Sequence, residues 1–76
     1  MTSLPVLKPR QLLSILQKVG WEVVRQKGSH IQLKHFNKPH YLVTIPHHNK
    51  DLARGTLFSI IKQLGMTKDD FEKLIR

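Results

Sequence analysis

His30 draws attention first, because of the residues that flank it: Arg25-Gln26-Lys27-Gly28-Ser29-His30-Ile31-Gln32-Leu33-Lys34. An imidazole has a reference pKa of ~6.5, so near neutral pH it can both take and give a proton. Cleaving RNA without a metal needs a group to take the 2′-hydroxyl proton, cations to offset charge on the phosphorane, and an acid for the leaving oxygen. His30 suits the first or the third role, and Lys27, Lys34 and Arg25 suit the second. The Gly28 N–H and the Ser29 hydroxyl could bond a phosphate oxygen, although turn geometry alone also accounts for Gly28. One positioned acid or base is worth ~10²–10⁴-fold, so a lone His30 describes a slow nuclease.

For this chemistry His30 has to point outward, and the pattern around it says that it does. Apolar Ile31 and Leu33 alternate with polar His30, Gln32 and Lys34, the period of a half-buried strand running from Ser29 to His35. With Ile31 and Leu33 toward the core, His30 and Lys34 share the outer face. A tight turn at Lys27-Gly28 joins this strand to an earlier one, in which Trp21, Val23 and Arg25 share one face and Glu22 and Val24 the other. Phe36-Asn37-Lys38-Pro39-His40 reads as a second turn. Tyr41, Val43 and Ile45 then line one face of a third strand that stops at Pro46. Three short-looped strands in sequence are most simply an antiparallel meander. Trp21 and Tyr41 are available for stacking on bases, but their positions on the core-facing side of their strands favour burial. In this arrangement His30 and His40 could lie close across strands two and three.

Helices flank the strands. Met1 to Leu7 is an apolar lead-in expected to lie against the fold, and Pro9 suits the first turn of a helix over Arg10 to Val19, closed by Gly20. Pro46 to Gly55 reads as an exposed loop. Thr56 suits the N-cap of a second helix, in which Leu57, Ile60, Ile61 and Leu64 make one apolar stripe until Gly65. Phe58 falls off that stripe, as a partner contact or an edge of the core. A short third helix has Thr67 as its cap, Asp69 and Asp70 in its first turn, and Met66 with Phe71 as a hydrophobic staple. The expectation is a single α+β domain over residues 1–76, with helices on one face of a three-stranded antiparallel sheet and the other face open.

Composition narrows the function further. A chain of 76 residues buries only ~60–65% of its unfolded surface and has little room for an internal cavity, so function should lie on the surface. There is no cysteine, hence no disulfide framework and no thiolate zinc site. Histidines 30, 35, 40, 47 and 48 sit at no recognised zinc spacing, which argues against a metal. No apolar run is long enough for a bilayer and Met1 to Leu7 lacks the basic start of a signal peptide, so a cytoplasmic protein with no membrane partner and no cofactor is expected. Thirteen Lys and Arg against five Asp and Glu give a net charge of +8, of which +7 falls between Lys8 and Arg54. Such an excess draws polyanions by a long-range, salt-sensitive force.

Several fragments, taken in order, resemble one family. They are Leu4-Pro5-Val6-Leu7, Leu16 to Gly20 followed by Trp21, Arg25-Gln26-Lys27-Gly28-Ser29-His30, Val43-Thr44-Ile45-Pro46 with His48 two beyond, and Gly55-Thr56-Leu57 through Ile60 to Gly65. Together they resemble the HicA toxins, mRNA interferases of toxin–antitoxin systems that are paired with HicB antitoxins. The resemblance implies a double-stranded-RNA-binding-domain-like α-β-β-β-α fold. It also implies ribosome-independent RNA cleavage with His30 as the catalytic residue, and a HicB-like antitoxin that masks this site. His48 is then either an auxiliary to His30 or a loop residue anchoring the end of strand three. The family often has a basic residue where this chain has Phe58. The reading is thus an endoribonuclease that cuts single-stranded regions of mRNA. The alternatives are a non-catalytic RNA-binding module of the same fold and, more remotely, an adaptor for an acidic protein.

Overall fold

The computed structural model describes residues 4–75, in the order α1 (Pro9–Lys18), β1 (Trp21–Lys27), β2 (His30–His35), β3 (Lys38–Pro46), α2 (Arg54–Gln63) and α3 (Lys68–Ile75). The strands form one antiparallel sheet in the order β1-β2-β3, which makes this the expected α+β fold with its short third helix. One face of the sheet is buried. Ile31, Leu33, Val43 and Ile45 stand on it with Trp21, and Leu12 and Leu16 of α1, Leu57, Ile60 and Ile61 of α2, Leu64 just after it and Phe71 of α3 pack against them, with Leu4, Leu7 and Leu52 from the connecting segments. Each such side chain contributes about 1.5–3 kcal/mol on burial, which is how a small chain without disulfides holds together.

Local signals set most of the boundaries. α1 starts at Pro9, one residue earlier than expected, where the missing N–H costs nothing; the Gln11 side chain accepts from the Lys8 N–H just before it at 2.8 Å. Leu4 and Leu7 are buried, and the Leu7 carbonyl accepts the Leu52 N–H at 2.8 Å, so the lead-in lies against the fold through these two residues, with Pro5 and Val6 between them exposed. Residues 1–3 of that lead-in fall outside the described residues. α2 begins at Arg54 with Ala53 as its N-cap, so Gly55 and Thr56 belong to the first turn and Thr56 is not the cap. At α3 the Thr67 hydroxyl accepts the Asp70 N–H at 3.1 Å, the cap that the sequence announces.

Strand register departs from simple alternation twice. In β1, Val23 pairs with Leu33 but Arg25 pairs with Gln32, so Val24 is an extra residue in a β-bulge. Trp21, Val23 and Arg25 therefore do not share a face: Trp21 is buried on the core side, whereas Arg25 joins the open face. In β3, Leu33 faces Val43 but His35 faces Lys38, setting Pro39, His40, Tyr41 and Leu42 against Lys34 alone. The turn is thus only Phe36-Asn37, and Pro39 lies inside the strand, tolerated because β3 is an edge. Tyr41 is 42% exposed at the sheet margin, its ring against Gly65 and beneath the Lys38 ammonium, rather than buried in line with Val43 and Ile45.

Candidate active site

The β1–β2 hairpin closes on two residues, Gly28 and Ser29. Gly28 has φ +58° and Ser29 does not share its positive φ, the pattern of a type II′ turn with glycine at the first central position. The expected turn is thus displaced by one residue: Lys27 ends β1 and Ser29 belongs to the loop. That displacement matters, because it makes Lys27 the direct cross-strand partner of His30. Partners of this kind lie ~5.5 Å apart at Cα with side chains on the same face. On the other side of His30 stands Pro46, and beyond it the His47 N–H donates to the Ser29 carbonyl at 2.6 Å, extending the ladder to the turn.

A second row, Arg25–Gln32–Thr44, runs beside the row Lys27–His30–Pro46. Together the rows floor an open cleft of about 590 Å³ lined by Arg25, Lys27, Gly28, Ser29, His30, Gln32 and Thr44. No carboxylate lines it. Two fixed cations, a turn N–H, a serine hydroxyl and two further hydrogen-bonding side chains thus surround one exposed imidazole. Such a surface can hold a phosphodiester by charge-assisted hydrogen bonds while a proton is moved at His30. The strand edge beside it is fixed by Gln63 of α2, whose Oε1 accepts the Thr44 N–H at 2.8 Å.

Of the residues singled out in the sequence, Arg25, Lys27, Gly28, Ser29 and His30 come together in this cleft, whereas Lys34, His48 and His40 do not. Lys34 shares the open face but lies four residues along β2, ~13 Å from His30. It lines a separate depression with Glu22, Val24, His35, Phe36 and Pro39, and Glu22 stands directly opposite it. His48 lies off the cleft, in a small concavity with Lys8, Arg10, His47 and Asn49. Nor is His40 beside His30, since Pro46 holds that position.

His35 serves the fold instead. Its Nδ1 accepts the Asn37 N–H at 2.9 Å, so Nε2 carries the proton that reaches the Val19 carbonyl at 2.8 Å. The ring also meets Trp21 edge-on at 5.2 Å between centroids and stacks on Phe36 at 4.7 Å. Two cleft residues, Gln32 and Thr44, are not among those the sequence singles out for phosphate. Gln32 is legible from its alternation with Ile31 and Leu33, whereas Thr44 requires the β2–β3 register. Phe58 is exposed, with the Arg54 guanidinium over its ring, 5.5 Å from the centroid.

Residues 9–66 match the family model described as the HicA toxin of bacterial toxin-antitoxin. The chain belongs to the HicA toxin family. It is therefore a toxin of the kind that bacterial toxin–antitoxin systems pair with an antitoxin. The matched HicA region runs from the start of α1 to just beyond α2 and includes the whole sheet and cleft; α3 follows it. No curated protein matches the chain. Among the described residues no helix is long and apolar enough to cross a membrane.

Proposed function

We propose that this HicA toxin is an endoribonuclease that cuts single-stranded regions of mRNA in the cytoplasm, without a metal, and that His30 is its catalytic residue. The observation that carries this reading is His30 in an acid-free cleft, with Lys27 as its cross-strand partner and Arg25 turned onto the same face. His30 takes the proton of a 2′-hydroxyl whose oxygen attacks the adjacent phosphorus. The P–O5′ bond breaks, the 5′-oxygen leaves with a proton from water, and the products end in a 2′,3′-cyclic phosphate and a 5′-hydroxyl. Lys27 and Arg25 offset the extra negative charge on the phosphorane, and the Gly28 N–H and Ser29 hydroxyl hold its oxygens. Lys34 contacts the strand farther along the sheet. A HicB-like antitoxin neutralises the toxin by covering His30 with an acidic surface, complementary to a +8 partner.

The test is metal-free protein incubated with single-stranded RNA and a chelator, with the new ends analysed. Cyclic-phosphate ends are expected from the parent, and about 100-fold or greater loss of cutting from His30→Ala with RNA binding retained. If His30→Ala cuts as fast as the parent, His30 is not the catalytic residue. His30 is the one side chain in the cleft suited to proton transfer near neutral pH, which keeps a second reading open, a non-catalytic RNA-binding module. That reading is supported if parent protein binds RNA and produces no new ends.

A further inference from the structure

The concavity that holds His48 opens at the same end of the sheet as the cleft. It measures about 150 Å³ and is lined by Lys8, Arg10, His47, His48 and Asn49. Both imidazoles are committed in the same way. The His48 Nδ1 accepts the Lys50 N–H at 3.2 Å, and the His47 Nδ1 accepts from the Gln26 amide nitrogen at 3.3 Å. With Nδ1 an acceptor in each ring, the proton sits on Nε2, and each ring keeps one N–H to donate. The Arg10 guanidinium forms no hydrogen bond or ion pair among the described residues. The Lys8 ammonium reaches the Asn49 carbonyl at 3.3 Å and the Asp51 carboxylate at 3.2 Å, and has a third N–H left. That ion pair is solvent-exposed, 40% and 57% at the two side chains, so it offsets the lysine charge only weakly.

The pocket is therefore lined by five side chains that carry N–H donors, two of them, Lys8 and Arg10, permanently cationic, and by no carboxylate. A metal ion is disfavoured by Lys8 and Arg10, and an apolar ligand by the N–H groups. A tetrahedral anion fits both the size and the donor count. Its position gives the anion a source: Ser29 lines the cleft, and its carbonyl is bonded to the N–H of His47, which lines the pocket. We infer that Lys8, Arg10, His47 and His48 form a second phosphate site that grips the RNA strand on the far side of the turn from Lys34. The inference rests on the reading of this surface as an RNA site and deepens it. It makes His48 a binding residue rather than a partner of His30 in proton transfer.

The test uses the full chain carrying His30→Ala, so that RNA is not cut during the measurement, with and without Arg10→Gln and His48→Gln together. Arg10 and His48 are exposed, and an unchanged circular dichroism melt checks that the fold is kept. The expected result is about tenfold or greater loss of affinity for a single-stranded oligonucleotide, with the slope of log K against log salt reduced by ~0.7 for each phosphate that is no longer neutralised. Unchanged affinity and slope overturn the proposal. Inorganic phosphate titrated against the ring signals of His47 and His48 distinguishes the sources. If it shifts them while the double variant binds RNA like its parent, the pocket serves free phosphate and the RNA proposal fails. Absence of cleavage by the parent bears on the nuclease reading alone, since this comparison reads binding.

Discussion

Arg25 stands opposite Gln32, on the open face of the sheet, and not opposite buried Ile31. Strict alternation continued from the Val23–Leu33 pair would have set Arg25 against Ile31, pointing a guanidinium at the core. The extra residue Val24 absorbs the difference, and Val24 itself is 54% exposed. The bulge is thus what gives the cleft its second fixed cation.

Arg25→Ala and Lys27→Ala are each expected to weaken RNA binding across sequences and to lower the salt slope by ~0.7. Both side chains are exposed, so thermal melts should move by no more than a few degrees. A filter or fluorescence titration at several salt concentrations measures the slope. An unchanged slope in either variant would remove that residue from the groups that hold phosphate.

His30 and His35 should separate function from stability. His30→Ala is expected to keep the melting temperature and lose cleavage. His35→Ala removes the bonds to Val19 and Asn37 and the ring packing on Trp21 and Phe36, and is expected to cost about 1–3 kcal/mol of stability. Below its lowered melting temperature it should still cut RNA. Denaturant unfolding together with initial rates measures both, and the reverse pattern would mean that the two histidines have been assigned the wrong way round.

Two glycines should differ in how much an alanine costs. Gly28 has φ +58° and nothing within 4 Å of an added Cβ, so Gly28→Ala meets only the backbone penalty of about 1–2 kcal/mol. Gly20 has φ +101°, and its added Cβ would come within 2.6 Å of the His35 Nε2, against the side chain that holds the end of α1. Gly20→Ala should therefore lower the melting temperature more than Gly28→Ala, each kcal/mol being worth about 4–8 °C in a domain of this size. Equal shifts would show that the approach of His35 to this glycine contributes little.

Charge reversal at the cleft should slow capture by the antitoxin. Lys27→Glu and Arg25→Glu are expected to lower the association rate and its salt dependence more than the dissociation rate rises, since exposed charges steer encounter. Stopped-flow or surface binding with the cognate antitoxin measures both rates. An association rate that stays at the parent value would put the antitoxin on another surface.

The sequence by itself determined the order of elements, the buried face of β2 and hence the outward His30, the cap of α3, and the glycine that turns the chain beside the imidazole. These follow from local causes: alternation in a strand is fixed by the pleat, and caps and turns are settled within a few residues. Tertiary structure decided which residues join His30. The Val24 bulge, the four residues of β3 set against Lys34, the place of Thr44 and the separation of His48 all depend on how one strand pairs with its neighbour. An inserted residue leaves the hydrophobic pattern of its own strand readable while turning every later side chain to the other face, and only the partner strand records that turn.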